Sequence, residues 1–408
     1  MGEVHTMTGM TNDADVGLPL VSVVITNYNY ARFLKACLAS VRRQTYPAIE
    51  CIIVDDCSTD ESKTVLDEIA SVEPQVVIIR NPTNSGQMYS FYAGFAAGTG
   101  EFVLFLDADD LLFDNAIATH VFVHLSSRIH AGFTTCDLAQ TLGNRIMTGT
   151  YLPETVCAQR PSDARLLRRI DRSMAGVWPG VAIVPDDIEA RVTYLTVDPP
   201  DRNYYAATSG NCFRRDALGM FLDDKAPMDL RLCADAYIGE AVFLLTGAIA
   251  IDVPLFFYRI HGGNGYSKYP DLANRRRVDP AGHLATHKIA NRAIAARLTG
   301  QAAYFLDHFS FQTYYTALKA LLIYVKNATP DDLIAFTAFL DARLADNAET
   351  IKARLSDSEF ACLPPRPSGT AFVPINRMQK FFAELFLTAG RVLRSSGLSE
   401  FGERLWRA

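Results

Sequence analysis

Three carboxylates, those of Asp107, Asp109 and Asp110, stand within four residues of one another. They follow directly on the apolar stretch 101–106, which has the composition of a buried strand. Like charges held this close repel each other, and they are tolerated where a divalent cation or another positive group sits among them. Open α/β sheets bind ligands at the carboxyl ends of their strands. The cluster therefore suggests Mg²⁺ or Mn²⁺ holding the diphosphate of a nucleotide.

Polar residues also follow two earlier apolar runs. The run 20–26 leads into a small polar group consisting of Thr26, Asn27, Tyr28 and Asn29. The run 51–54 leads into the pair Asp55-Asp56. Either group can contact a nucleotide, but the first could also be an ordinary turn, and the pair could cap a helix. With the acidic cluster, three groups of polar residues each follow a predicted strand. Such a coincidence is much less expected by chance than a single group.

The alternation of elements predicts how these groups are positioned. Strands at 20–26, 51–54, 76–79 and 101–106 alternate with helical patterns, of which two are at 30–43 and 87–98. This order indicates right-handed crossovers and a parallel sheet, hence an α/β fold with a mostly parallel sheet flanked by helices. Asp107 and Asp109 alternate along an extended segment, so both carboxylates can point to one side of it, one toward a ribose and the other toward a metal.

Further elements are predicted downstream of the acidic cluster. They are a helix at 114–127, a strand at 131–136, an irregular stretch at 138–205, a helix at 233–246 and a strand at 249–258. From about 282 the patterns become helical and predict a C-terminal extension with helices at 283–299, 302–327, 330–355 and 375–394. The Pro-rich stretch 363–374 is predicted to be a linker.

Composition narrows the class of protein. The 408 residues leave room for two or three domains, and 45 acidic against 39 basic residues argue against a nucleic-acid partner. The eight cysteines include no CxxC pair and are expected to be reduced, as in the cytoplasm. The polar N-terminus lacks the features of a signal peptide, and no apolar run is long enough to predict a transmembrane helix.

Taken in order, these groups resemble the family 2 glycosyltransferases, which have the GT-A fold. The segments that carry the resemblance are Val21 to Asn29, Ser40 to Pro47, Ile53 to Asp60, Asn84 to Gly86 and Gly100 to Asp110. The resemblance covers residues 20–115, weakens through 138–205 and returns at about 208–262. It implies metal-assisted transfer of a sugar from a nucleoside-diphosphate sugar to an acceptor hydroxyl, with inversion at the anomeric carbon.

The resemblance also implies roles for individual residues. Asp56 would meet the base, Asp107 the ribose and Asp109 the divalent cation, Mg²⁺ or Mn²⁺, with Asp110 helping to orient the metal or sugar. His261 would bind the metal or a phosphate, and Arg259 would neutralise the diphosphate. The rest of the nucleotide-sugar site would consist of Thr26, Tyr28, Asn29, Asp55 and Gly86.

An inverting displacement also needs a base on the acceptor side. The segment 208–215 resembles the family's acceptor-side loop, and it contains Ser209, Gly210 and Asn211. Asp235 then matches the second residue of the family's Glu-Asp pair and is the expected base, with Ala234 in place of Glu. Asp229 and Glu240 are the rival bases.

The sequence departs from the family pattern in the segment after Gly86, where the family contacts the donor sugar. Many relatives carry Arg and Asn where this chain has Phe91 and Tyr92, and Gln87 follows Gly86 directly.

These patterns predict a tail at 1–18, followed by a glycosyltransferase domain at 19–265. This domain would consist of a nucleotide-binding half (19–115) and an acceptor half (116–265). A helical region at 282–362, the linker 363–374 and a segment at 375–408 follow. The last segment is rich in aromatic and basic residues, so it could form a packing module or homodimer interface, or bind the membrane surface. The protein is then expected in the cytoplasm, free or on the inner face of the membrane.

The expected partners are a nucleoside-diphosphate sugar, with a UDP-sugar favoured, and a glycan or lipid-linked acceptor. Two alternatives stay open from the sequence. A nucleotidyltransferase also places metal-binding carboxylates on an α/β sheet, although residues 26–29 lack its glycine-rich phosphate loop. A nucleotide-sugar-binding or scaffold protein without catalysis is the other, because Glu is missing at position 234.

Overall fold

A computed structural model describes residues 17–148, 166–167, 184–197, 206–264, 280–324 and 330–363 of the chain. The chain divides into two compact units, the first formed by residues 1–196 and 203–287 and the second by 197–202 and 288–408. The domain boundaries expected from the sequence stay predictions. The tail before residue 17, the segment 375–408 and all but the first residue of the linker lie outside the described residues.

The amino-terminal part of the first unit is a parallel sheet. Its strands are β1 (Val21–Asn27), β2 (Ile49–Asp55), β3 (Val77–Arg80) and β4 (Phe102–Asp107). The helices between them are α1 (Ala31–Arg42), α2 (Ser62–Val72) and α3 (Gln87–Ala97). The spatial order β3-β2-β1-β4 with parallel neighbours confirms the crossovers that the sequence pattern predicts.

The sheet continues beyond β4 with strands of both directions. The next elements are β5 (Leu111–Leu112), α4 (Ala116–Ser126), β6 (Phe133–Leu142), β7 (Arg145–Thr148) and β8 (Val192–Leu195). They are followed by β9 (Asn211–Arg214), α5 (Arg215–Gly219), α6 (Asp235–Thr246) and β10 (Ala248–Ile260). Two 3₁₀ turns lie at Ile188–Ala190 and Thr208–Gly210.

The pairing order from β4 onward is β9-β6-β10-β5. Strand β9 is antiparallel to both β4 and β6, while β6 and β10 are parallel to each other. Strands β1 to β4, β6 and β10 therefore run in one direction. This arrangement confirms the expected α/β architecture with a mostly parallel sheet.

Register brings the polar groups of the sequence together at one edge. Asn27 at the end of β1 pairs with Asp55 of β2, and Thr26 pairs with Asp107 of β4. The apolar parts of β1 and β4 are fully buried, so helices cover both faces of the sheet. Helix α3 lies especially close to β1, because a Cβ on Gly94 would stand 2.2 Å from Val24 Cγ1.

Strand β6 is longer than the predicted 131–136 segment. It continues to Leu142 and then pairs with β7, so the start of the stretch expected to be irregular is regular sheet. The strand buries polar side chains such as Asp137 and Gln140. A search for runs of apolar residues misses such a strand, because buried polar side chains interrupt the run. These side chains find hydrogen-bond partners only through tertiary contacts.

The C-terminal extension is helical, as predicted. Its helices are α7 (Pro280–Gly300), α8 (Ala302–His308), α9 (Phe311–Tyr324), α10 (Pro330–Asp346), α11 (Ala348–Lys352) and α12 (Asp357–Cys362). The single helix predicted at 302–327 is broken, because the hydroxyl of Ser310 accepts from the Thr313 N–H and begins a new helix. Buried Leu298, Phe305 and Tyr314 are part of the core of the second unit. Within the described ranges, no helix has the length and apolar character needed to cross a bilayer.

Candidate active site

The end of β1 makes direct side-chain contacts with its two neighbouring strands. Thr26 Oγ1 donates to Asp107 Oδ1 at 3.2 Å, and Asn27 Nδ2 donates to Asp55 Oδ1 at 2.6 Å. Tyr28 lies just beyond the strand and is 44% exposed. The strand whose Thr26 contacts Asp107 is thus followed by an exposed aromatic ring, on which a flat base could stack.

Asp55 and Asn29 shape the turn after β2. Asp55 accepts from both the hydroxyl of Ser58 at 2.6 Å and its backbone N–H at 3.2 Å. Asn29 adopts φ of 60° and its side-chain oxygen accepts from the Thr59 N–H at 2.7 Å. These side chains therefore support the turn around the expected nucleotide site, and direct contact with a nucleotide stays a prediction.

Asp56 fixes the loop that leads into helix α3. Its carboxylate accepts from Asn81 Nδ2 at 2.8 Å, from the Ser85 N–H at 2.8 Å and from the Gly86 N–H at 2.7 Å. With only 5% of its surface exposed, Asp56 is held by three donors of the protein. The expected contact of Asp56 with the nucleobase stays a prediction. Such a contact would use the lone pairs of the carboxylate oxygens that these three donors leave free.

Gly86 allows that loop to approach another segment. Its φ is 91°, and a Cβ at this position would stand 2.6 Å from the Cα of Arg231. The following backbone N–H groups, those of Gln87 and Met88, donate to the carbonyls of Arg231 and Leu230 at 3.0 and 3.2 Å. A side chain would separate these segments, so Gly86 acts through the backbone.

Asp109 and Asp110 are buried and Asp107 is partly buried, and the charges of the cluster disfavour one another. Burial, with the charges of Asp109 and Asp235, raises the pKa of Asp107 to about 7. Burial and the charges of Asp109 and Asp107 raise the pKa of Asp110 well above its usual value. This mutual repulsion favours occupation by a positive group.

Asp109 and His261 are the residues of the cluster best suited to a divalent cation. His261 Nε2 lies 3.0 Å from Asp109 Oδ2, and Asn264 Nδ2 donates to the same oxygen at 3.3 Å. Across the ranges that the structure covers, no group of three or more potential His, Cys, Asp or Glu ligands is assembled. One carboxylate and one imidazole nevertheless fit Mg²⁺ or Mn²⁺, because these ions take further ligands from phosphates and water.

Arg259 supplies positive charge next to this pair. Its Nε donates to the carbonyl of Asp109, and its backbone N–H donates to Asp110 Oδ1 at 3.1 Å. The guanidinium lies over the ring of Phe33, 4.7 Å from its centroid. Arg259 is thus anchored beside the cluster, as expected for a residue that neutralises a diphosphate, although this role stays a prediction.

Arg32 is a neighbour of the metal pair that the sequence did not single out. Its NH2 group lies 3.3 Å from His261 Nδ1, and its guanidinium also lies over Phe33, at 4.5 Å. Asn264, which contacts Asp109, was missed as well. No signal in the sequence marks Arg32, whereas Asn264 follows His261 closely enough to have been considered.

The predicted acceptor-side residues are buried. Ser209 is 1% exposed, donates to Asp110 Oδ2 at 2.7 Å and accepts from the backbone N–H of Asp107 at 3.2 Å. Asn211 donates to the carbonyls of Ala206 and Ala207, and Gly210 packs against Phe256. Ser209 and Asn211 therefore bind partners within the protein, and a contact of these three residues with an acceptor stays a prediction.

Asp235 is the first residue of helix α6, directly after the fully buried Ala234. Burial raises the pKa of Asp235, although backbone N–H groups, among them that of Thr208, stabilise its charged form. Its charge in turn raises the pKa of Asp107, so the expected base lies near that donor-side carboxylate. Of the rivals, Asp229 is exposed and Glu240 is buried within α6.

Comparison with known proteins gives the family. A family model described as glycosyl transferase family 2 matches residues 22–126. An uncharacterized glycosyltransferase of Nostoc sp. is 32% identical over 249 residues, which are 60% of this chain and 66% of that protein. The putative teichuronic acid biosynthesis glycosyltransferase TuaG of Bacillus subtilis is 35% identical over 92 residues, 22% of this chain and 36% of that protein.

The chain spans 66%, 52% and 33% of the lengths of the first three curated relatives. The crystal structure of S. aureus TarS residues 1–349 is similar at 15% identity, with a TM-score of 0.47 over 81% of this chain and 83% of that one. This likeness is too weak to carry an argument about the site. The matched segment contains the first four strands and the acidic cluster, and this part of the chain belongs to family 2 of the glycosyltransferases.

Proposed function

We propose that the protein transfers a sugar from a nucleoside-diphosphate sugar to an acceptor hydroxyl, with inversion and with a divalent cation. The observation that carries this proposal is the approach of Asp235, on the acceptor side, to the carboxylates at the end of β4. The side chain of Gln87 contacts both Asp107 and the backbone N–H of Ala234, the residue before Asp235, and the charge of Asp235 contributes to the raised pKa of Asp107. A partly buried carboxylate near the expected nucleotide site is suited to proton abstraction.

The donor would lie across the ends of β1, β2 and β4. Tyr28 is exposed beside the turn that Asn29 and Asp55 support, and it would contact the base. Asp107 would accept from the ribose hydroxyls. Asp56 and Gly86 would contribute by fixing the loop before α3 and, in the case of Asp56, by accepting from the base.

Asp109 and His261 would hold the cation, which when bound stabilises the negative charge of the departing diphosphate as a Lewis acid. The distance of 3.0 Å between His261 Nε2, just after β10, and Asp109 Oδ2, just after β4, supports this pairing. Arg259 would stabilise the same developing charge, since its guanidinium is anchored to the backbone of Ala108 and Asp109.

Asp235 would take the proton from the acceptor hydroxyl while that oxygen attacks the anomeric carbon. Inversion requires attack from the face opposite the leaving diphosphate, so the base must stand across the donor from the cation. Ser209, Gly210 and Asn211 would support this side from beneath.

A binding protein without catalysis is the second candidate, because Ala234 stands where the family carries Glu. Family membership favours both candidates over a nucleotidyltransferase. Turnover separates the two, since a binding protein would retain the donor without consuming it.

The acceptor would be a glycan or a lipid-linked sugar in the synthesis of a polysaccharide or cell-surface glycan. Support comes from TuaG, which is named for teichuronic acid biosynthesis. Membrane-surface attachment or dimerisation through 375–408 concerns a segment outside the described residues. Liposome co-sedimentation with and without residues 363–408 tests attachment, and equal, negligible binding by both would contradict it.

The direct test of the proposed function is a panel of UDP-, GDP- and dTDP-sugars with and without Mn²⁺. The matching donor at a hundredfold excess over its dissociation constant is expected to stabilise the protein by about 2.7 kcal/mol. Transfer to an acceptor, or slow hydrolysis of that donor, is expected only with the cation. Thermal shifts that are absent with every donor would contradict the proposal.

A further inference from the structure

Gln87 connects two segments to which the proposed mechanism assigns separate tasks. Its side-chain Nε2 donates to Asp107 Oδ1 at 3.2 Å, on the donor side. Its side-chain Oε1 accepts from the backbone N–H of Ala234 at 2.9 Å. Ala234 immediately precedes Asp235, the expected base. One amide group therefore spans the distance between the donor-side carboxylate and the start of helix α6.

The two partners determine which way the amide points. The backbone N–H of Ala234 can only donate, so it fixes the amide oxygen of Gln87 toward Ala234 and leaves the amide NH2 group to donate to Asp107. Glu would retain an acceptor for Ala234 but would place a carboxylate against Asp107. Met has a similar length and offers neither hydrogen bond. The position thus requires a donor and an acceptor on one side chain.

The backbone around Gln87 is held against the segment that precedes helix α6. The N–H groups of Gln87 and Met88 donate to the carbonyls of Arg231 and Leu230, and Gly86 permits the close approach. The guanidinium of Arg231 reaches back to the carbonyl of Asn84 at 3.2 Å. The backbone of Gln87 is therefore held against the segment 230–231 by bonds that do not involve the Gln87 side chain.

The chain also bends sharply just before the bridged amide. Cys233 adopts φ of 56°, a left-handed conformation that residues other than Gly seldom adopt. Such a conformation persists where surrounding contacts hold it, and it clusters at functional sites. The bond from Ala234 to Gln87 is the side-chain contact next to this bend.

We propose that Gln87 is a positioning residue that fixes Asp107 relative to Asp235, so that the donor and the base are held in one geometry. This inference rests on the proposed function for its catalytic consequence, but the bridge itself can be tested without turnover. Reaction rates are sensitive to this kind of alignment, since a displacement of about 1 Å can cost about a hundredfold in rate.

The experiment compares Gln87→Met and Gln87→Glu with a matched control, Gln44→Met. Gln44 is also half-buried, and it donates to the carbonyls of Ser40 and Phe113 at 3.1 and 2.7 Å and accepts from the Ile117 N–H at 3.0 Å. Its bonds join the end of α1 to the start of α4, so its loss has a similar structural cost without touching Asp107 or Ala234.

The first readout is amide hydrogen exchange of peptides covering 231–238 in the protein without ligand. Gln87→Met is expected to speed exchange by about fivefold to tenfold, the equivalent of one lost hydrogen bond. Gln87→Glu keeps the acceptor for Ala234, so its exchange is expected within about twofold of wild type. Gln44→Met is expected to leave this region unchanged. Wild-type exchange in Gln87→Met would overturn the inference.

The second readout compares the effects of each variant on kcat and on donor KM. These constants are measured with the donor that the panel of nucleotide sugars identifies. Both Gln87 variants are expected to lose about tenfold to a hundredfold in kcat, with donor KM changed by less than about threefold. An equal loss of kcat in Gln44→Met would reduce Gln87 to a structural role and overturn the inference. If the wild-type protein turns over no donor, the proposed function fails, and hydrogen exchange alone decides whether the bridge exists.

Discussion

Ser209 donates a hydrogen bond of 2.7 Å to Oδ2 of Asp110, and the two side chains are each 1% exposed. The other carboxylate oxygen of Asp110 accepts from the backbone N–H of Arg259. Asp110 therefore joins the end of β4, the turn before β9 and the end of β10. This buried carboxylate braces the site, while Asp109 is the member of the cluster that meets His261.

Replacing Ser209 with Ala is expected to destabilise the protein. The change leaves a buried carboxylate oxygen without its hydroxyl donor, which costs about 1–3 kcal/mol in the free energy of unfolding. Urea denaturation measures this loss. Ser71→Ala is the control, because Ser71 donates a hydrogen bond of the same length to the Glu68 carbonyl at an exposed position. Equal unfolding free energies for the two variants would contradict the bracing role of Ser209.

Two buried histidines of helix α4 predict a loss of stability in mild acid. Burial lowers the pKa of His120 to about 3 and that of His124 to about 4, from an ordinary value of 6.5. The unfolded chain takes up protons below pH 6.5 that the folded protein excludes, so stability falls as the pH falls from 6.5 toward 4. Each histidine is expected to cost about 2 kcal/mol at pH 5.

His124→Gln tests this origin of the acid sensitivity. His124 Nε2 lies 2.9 Å from the carbonyl oxygen of Cys212, which can only accept, and a Gln amide can supply the same donor without titrating. Unfolding free energies are measured in urea at pH 7.5 and pH 5. The variant is expected to lose about 2 kcal/mol less than wild type between the two pH values. An unchanged difference would show that His124 does not contribute.

Asp109→Asn is expected to abolish the effect of the cation on donor binding. The amide keeps the size of the side chain but removes the charge that a divalent cation requires. Thermal shifts with the matching nucleoside diphosphate, with and without Mn²⁺, measure this. In wild type Mn²⁺ should enlarge the shift, and in Asp109→Asn the two shifts should be equal. A Mn²⁺ effect of wild-type size in the variant would exclude Asp109 as the ligand.

The sheet and the location of the site followed from local patterns. Each of the first four strands is an apolar run that ends in a polar residue, and parallel topology places those ends at one edge. Thr26, Asp55 and Asp107 were expected at that edge on this basis, and register brings them there. Strand β6 was only partly predicted, because its buried polar side chains interrupt the apolar pattern.

The hydrogen bonds within the site could not be predicted in the same way. Asp56 has the sequence context of a ligand-binding carboxylate, yet it is the acceptor for three donors of the loop before α3. Ser209 and Asn211 likewise lie in the expected segment but are buried. From the sequence alone, Gln87 is recognised only as part of a departure from the family pattern. Such roles depend on side-chain contacts between distant segments, and no local pattern encodes them.

The measurement that most directly tests the account is the comparison of donor binding and sugar transfer in Asp235→Asn. The account predicts a dissociation constant for the donor within about threefold of wild type, together with a fall in kcat of about a hundredfold or more, because the amide cannot take the acceptor's proton. Asp229→Asn, at an exposed position a few residues earlier, is the matched control and should keep wild-type turnover. Full transfer activity in Asp235→Asn would contradict the account by removing Asp235 as the base.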